Sequence, residues 1–175
     1  MKKIIVLLVF MSVWSCQKEP SLQKYFVEKT ESTDFVTVDV SPSILNIQPD
    51  ALTIEQQNAL KTFKKMNVLA FKINEENKTK FDDERTKVKE ILKDEKYQQL
   101  MKFGSGKDGA AVYFVGKDDA IEEFVLFGSQ AENGFAVVRI LGDKMNPENF
   151  MTLLEALKKS DINMDQLKPL EGILK

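Results

Sequence analysis

Polar chemistry in this chain must come from carboxylates, lysines, serines or tyrosines, because its 175 residues include no histidine and a single cysteine, Cys16. A Ser-His-Asp or Cys-His device is therefore excluded, as is a zinc site made from histidine and cysteine. Ser105 and Lys107 are the one tempting close pair, since serine with lysine replaces serine with histidine in some hydrolases. They stand in Gly104-Ser105-Gly106-Lys107-Asp108-Gly109. A reactive serine needs a rigid, partly buried setting, and a glycine turn does not offer one. The same stretch looks at first like a phosphate loop. That motif needs its full spacing and a Ser or Thr after the lysine, whereas here Asp108 follows and its charge repels phosphate. A hairpin turn is the expectation.

The acids are weighed in the same way. Asp118, Asp119, Glu122 and Glu123 cluster around a turn, and oxygen-only clusters suit calcium. They lack the spacing of a calcium loop, so a solvated turn is expected and no metal is assigned. Asp82-Asp83-Glu84 is expected mid-helix, facing water and supported by Lys87 one turn on. Hydrolysis by paired carboxylates needs two acids in one cleft. Glu122 and Glu123 are neighbours on a strand and so face opposite sides. Asp39 and Glu123 are candidates only if the sheet brings them together. Met66, Met101, Met145, Met151 and Met164 read as core fillers, and the sequon Asn77-Lys78-Thr79 reads as chance. No catalytic residue and no cofactor is expected.

The first residues carry an address. Lys2 and Lys3 precede an apolar run from Ile4 to Val13, broken only by Ser12. That describes a secretory signal peptide over residues 1–15, and it is shorter than the roughly 20 apolar residues of a spanning helix. Val13-Trp14-Ser15-Cys16 resembles a bacterial lipobox, which implies lipid on Cys16 as the new first residue. Cleavage removes Lys2 and Lys3, leaving 23 basic residues against 27 acidic and a net charge of −4. Such a mixed, mildly acidic chain lacks the basic face that nucleic acid requires. It reaches the membrane through the lipid on Cys16, and more than one acyl chain makes that attachment stable.

The remaining segments must position whatever the chain uses. Residues 16–34 read as the lipidated cysteine and a polar tether, in which Tyr25, Phe26 and Val27 are apolar islands able to dock or to form a short helix. Gln17-Lys18-Glu19 belongs to that solvated tether and partly resembles the charged signal that sends some Bacteroidetes lipoproteins to the cell surface. Residues 35–175 are expected to form one domain. Phe35 to Val40 reads as a strand. Thr53 and Gln56 form a capping box that opens a helix with Ile54, Ala59, Leu60 and Phe63 on its apolar side. A second strand is expected over residues 68–73, followed by a polar helix over 75–94 with Phe81, Val88, Ile91 and Leu92 on one stripe. Residues 97–103, 110–115, 121–127 and 135–141 read as four strands of an antiparallel meander, with Asn133-Gly134 as the clearest hairpin signal. Asn146-Pro147 starts a helix whose Phe150, Leu153, Leu154 and Leu157 fall on one stripe. The apolar tail from Ile162 to Leu174 is expected to pack on the domain. The order β-α-β-α-β-β-β-β-α predicts an α+β fold, mostly antiparallel, with helices packed on one face. The leading β-α-β is compatible with a parallel pair joined by a right-handed crossover.

The strand from Gly109 through Ala110, Ala111, Val112 and Tyr113 to Phe114 is followed by a strand from Ile121 to Leu126. Phe135-Ala136-Val137-Val138-Arg139-Ile140-Leu141-Gly142 then runs into the Asn146-Pro147-Glu148-Asn149-Phe150 helix. Together with the lipobox, this order resembles the small Bacteroidetes lipoproteins called domain of unknown function family 4252, over about residues 35 to 160. The resemblance implies an exported α+β domain in the cell envelope and brings no catalytic residues. Two readings of function follow. The first is a non-catalytic envelope module at the outer membrane, on the periplasmic face or the cell surface. It would bind another protein or a glycan, with a free sheet edge able to accept a strand. The second is a small-ligand binder or a carboxylate-based hydrolase.

Overall fold

The computed structural model describes residues 20–41, 52–148, 150–152 and 155. The signal segment, Cys16 and the tail beyond residue 155 lie outside those residues, as do Leu153, Leu154 and Leu157. The elements are α1 (Leu22–Lys29), β1 (Phe35–Val40), α2 (Ile54–Thr62) and β2 (Phe63–Lys72). A single 3-10 turn (Lys78–Lys80) leads into α3 (Phe81–Ile91) and then β3 (Gln98–Ser105), β4 (Asp108–Lys117), β5 (Ala120–Gln130) and β6 (Gly134–Met145). Residues 147, 148 and 150–152 are helical after Asn146. The six strands form one sheet in the order β1-β2-β6-β5-β4-β3. Every neighbouring pair is antiparallel, so the fold is α+β.

The crossover expectation for the leading β-α-β is not met, because β1 runs antiparallel to β2. The reason lies in the register. Antiparallel pairing sets Phe35 opposite Phe71, with ring centroids 5.2 Å apart at 70°. A parallel start would bring Phe35 towards Lys64 and Lys65 instead. The strand also begins earlier than residue 68, directly after α2.

Alternation along the strands divides the apolar residues between two faces. Phe35, Leu69, Phe71, Val125, Phe127, Phe135 and Val137 share one cluster with Leu22, Tyr25 and Phe26 of α1 and Phe81, Val88 and Ile91 of α3. The rings of Phe71 and Phe135 stack there at 5.5 Å and 4°. The stripe expected on α3 is buried as read. On the other face, Val40, Val112, Phe114, Phe124 and Ile140 cluster with Phe63, Met145 and Phe150. Phe150 packs at 4.7 Å from the Phe124 ring. Helices α1 and α3 thus cover one face, which we call the helix face, and the post-β6 helix contributes Phe150 to the opposite face.

Two corrections concern the segments before the meander. The boundary expected at residue 35 moves back, because α1 is part of the fold. Ser21 caps it by accepting from Lys24 N at 3.3 Å, and Leu22, Tyr25 and Phe26 lie at i, i+3 and i+4 and are buried. Val27, counted with them, points out and is 64% exposed. The capping box of α2 forms as expected, with Thr53 and Gln56 bonding each other's backbone. Its apolar side is narrower than expected, since Ile54 is exposed and Phe63 belongs to β2.

The β5–β6 turn shows why a glycine is required. Residues 131–133 form the loop, and Gly134 is already paired with Gln130. At φ +127 a Cβ on Gly134 would stand 1.9 Å from the Phe71 carbonyl oxygen. The Asn-Gly signal marks a real hairpin, but its glycine serves close strand packing rather than the centre of a two-residue turn.

Candidate functional site

The glycine-rich stretch is a hairpin turn, with Ser105 opposite Asp108. Gly106 at its first central position has φ +62, as primed two-residue turns require. Lys107 leaves the turn towards α3, where its Nζ lies 2.7 Å from Asp82. It is therefore held by a carboxylate and is not aimed at Ser105. Asp118, Asp119 and Glu122 are exposed, while Glu123 turns to Arg139. Among the described residues no three acidic, cysteine or histidine side chains converge on a point. Met66 and Met101 pack at the edge of the cluster opposite the helix face, and Met145 lies inside it. Met151 is 51% exposed and is not a core filler; Met164 lies outside the described residues. The sequon asparagine is a structural residue. Asn77 is buried, accepts from Asn74 N at 2.8 Å and donates to Lys72 O at 3.0 Å.

Asp39 and Glu123 do share the helix face, but they lie on β1 and β5, three strands apart. At about 4.8 Å per strand that is roughly 14 Å, beyond the span of about 5–9.5 Å used by carboxylate pairs in glycoside hydrolysis. Each is also committed. Arg139 reaches Glu123 with two bonds, Nε to Oε1 at 2.6 Å and Nη2 to Oε2 at 3.1 Å. The two residues are diagonal neighbours across β5 and β6, within reach for long side chains. Arg139 Nη1 donates to Gln23 Oε1 at 2.6 Å, and its guanidinium lies 5.5 Å from the Phe26 ring. Asp39 accepts from Asn67 and pairs with Lys65 at 2.8 Å. Burial pushes the Asp39 carboxyl pKa up, but the bonds from Lys65 and Asn67 outweigh it and hold it below the ordinary value.

A second network was not anticipated. Glu84, expected to face water, is buried. Tyr25 donates to its Oε2 at 2.7 Å, and Lys29 and Lys87 each lie 2.8 Å from Oε1. Burial raises its carboxyl pKa, yet the bonds from Lys29, Lys87 and Tyr25 together bring it below the ordinary value. The Tyr25 hydroxyl is pushed well above its usual range, first by burial and then by its bond to Glu84. Both networks tie α1 to the sheet or to α3. Arg139 had one readable signal: it is the only charge in the apolar run from Phe135 to Leu141, and a charge placed there needs a partner.

The face opposite the helix face has a different chemistry. Val36, Ala70, Ala136, Gly128, Ala110 and Phe103 are matched in register from β1 to β3. The row below holds Val38, Val68, Val138, Leu126, Val112 and Met101 in the same way. No charged side chain interrupts either row. The short side chains of the first row leave a groove of about 560 Å³ bordered by Phe103, Ala110, Gly128 and Ala136. Phe103 is 60% exposed at its rim. It belongs to β3, an end strand of the sheet, six of whose eight residues are exposed.

An antiparallel sheet with α1 and α3 on one face and a largely apolar groove on the other defines a small α+β domain. The chain belongs to the family described as domain of unknown function DUF4252, whose model matches residues 25–153. The match begins inside α1, consistent with that helix being part of the domain. Comparison with curated proteins and with solved structures returned no match.

Proposed function

We propose that this chain is an exported protein, lipid-anchored at Cys16 in the cell envelope, whose domain is a non-catalytic module that binds an envelope protein. The partner adds an extended strand to the outer edge of β3 and places an apolar side chain in the groove beside Phe103. The observation that carries this reading is the exposed Phe103 on an end strand next to an apolar groove. Strand addition draws affinity from main-chain bonds and specificity from such pockets. The commitment of Asp39 and Glu123 to cations weakens the hydrolase reading. A small-ligand role has one supporting observation, a groove of about 450 Å³ with mixed polar and apolar lining that includes Gln23, Asp39, Lys65, Asn67 and Arg139.

The test is in-cell crosslinking of the natively anchored protein read by mass spectrometry, beside Cys16→Ala and Phe103→Glu. One dominant protein partner in the wild type, lost in both variants, is the expected result. Absence of any partner overturns the interaction reading. Retention by Phe103→Glu overturns the assignment to the β3 edge.

A further inference from the structure

The helix face also carries a group of cations that make no ion pair among the described residues. Arg85 of α3 is only 9% exposed, and a buried charge is normally paired. Its bonds go to neutral acceptors: Nε donates to Ser129 Oγ at 3.0 Å, and Nη2 donates to the Gly106 carbonyl oxygen. Among the described residues no carboxylate pairs with it. Lys89, one turn further along α3, and Lys102 on β3 likewise have no ion pair there. With Arg85 these two lysines line a cavity of about 90 Å³ under the β3–β4 turn, whose wall also holds Ser105 and Tyr113.

The nearby acids are spent elsewhere. Glu84 holds Lys29 and Lys87, Asp82 holds Lys107, and Glu90 holds Lys93. Asp108 accepts from Ala131 N at 2.8 Å. The charge is felt within the cluster, since burial first, and then Arg85, Lys102 and Lys93, lowers the Lys89 ammonium pKa.

We infer that the cavity between Arg85, Lys89 and Lys102 is an anion site for a phosphoryl group, as free phosphate or as a phosphate monoester on a lipid headgroup. Three positive charges match a multiply charged oxyanion better than a single carboxylate. The fixed fork of an arginine suits phosphate oxygens. The cavity exceeds the liquid volume of one water, about 30 Å³, so an oxyanion would displace a few waters. Ser105 and Lys107 take different parts here from those the glycine stretch first suggested. Ser105 lines the cavity, and Lys107 serves as an external control because Asp82 neutralises it.

The experiment uses the full chain in detergent and inorganic phosphate as probe, with binding followed by calorimetry. Saturable phosphate binding is expected in the wild type. Loss of charge-assisted bonds in Lys89→Gln/Lys102→Gln should weaken it roughly tenfold or more, while Lys107→Gln leaves it unchanged. Flotation with phosphatidylcholine vesicles, with and without phosphatidic acid, then separates the sources. The Cys16→Ala chain, which has no lipid of its own, is used for this arm. Enrichment on phosphatidic acid that free phosphate competes away identifies a headgroup, whereas equal flotation on both vesicles assigns the site to free phosphate. Absence of phosphate binding, or equal binding by the double variant, overturns the inference. Lys89→Gln, on α3 and away from the β3 edge, should weaken phosphate binding while keeping the crosslinked partner, so this site and the β3 edge fail independently.

Discussion

The two faces of the sheet use the same strands for different ends. The helix face is closed by α1 and α3 and carries charges set among rings: Arg139 with Glu123, and Glu84 with Tyr25, Lys29 and Lys87. The opposite face has no charge in its two central rows and leaves a groove at its turn end. Burial is therefore not a sign of apolar chemistry here. The better covered face holds the buried ions, and the face whose central rows are apolar is the one with a large apolar side chain offered to solvent. On the helix face, Glu123 of β5 pairs Arg139 and Lys29 of α1 helps to pair Glu84, whereas the small residues of the other face leave space that a partner can fill.

The sharpest contrast is between two phenylalanines. Phe71 is fully buried and stacked on Phe135, so Phe71→Ala should cost about 3–5 kcal/mol in urea unfolding. Phe103→Ala should cost no more than about 0.5 kcal/mol. Similar losses at both positions would break the distinction between a closed and an open face.

Next in size is the Arg139 pair. Glu123→Ala leaves a guanidinium that is 6% exposed without its carboxylate, and removing one member of a buried pair costs about 3–5 kcal/mol. Arg139 keeps Gln23 and Phe26, so the lower end of that range is expected. Replacing both residues together, as Glu123→Leu with Arg139→Met, should recover most of the loss. A double variant as unstable as the single would show that the pair is more than a paired charge.

Glu84 adds a dependence on pH. Its folded pKa is depressed, so its contribution is fully present above the unfolded value of about 4.3. The contribution is lost as pH falls through the folded value. The stability gap between wild type and Glu84→Gln should therefore be constant near neutrality and shrink on acidification below about pH 4.3. A gap that widens there would reverse the sign assigned to the network. The smallest effect belongs to Lys24 and Glu28, an exposed i, i+4 pair at 3.8 Å. Glu28→Gln should shift stability by less than about 0.5 kcal/mol, and a larger value would mean that α1 depends on its outer surface.

Local order was largely readable. Phe35 to Val40 is a strand with the expected ends, and the four strands of the meander appear in place, each longer than read. The Thr53–Gln56 capping box and the α3 stripe follow from spacing alone. Helix α1 was harder to read because Leu22, Tyr25 and Phe26 are few and flanked by charge. Their apolar face becomes meaningful only against Tyr97, Phe35 and the sheet. Glu84 was misread for a similar reason. A helix stripe shows which side is apolar, and it does not reveal that another helix will bring a tyrosine and a lysine to its border. Among the candidate functional residues, Phe103 and the Arg85 cluster carried no local signal.

The sequence alone determined that histidine-based devices are excluded, the strand and helix order from β1 onward, and which residues alternate on each strand, because residue types and short-range periodicity are local properties. Tertiary structure decided the antiparallel placement of β1, the separation of Asp39 from Glu123, and the meeting of Arg85, Lys89 and Lys102. Those depend on sheet register and on which helix lands on which face. Register and docking are set by the summed packing of residues far apart in the chain, not by any one stretch of it.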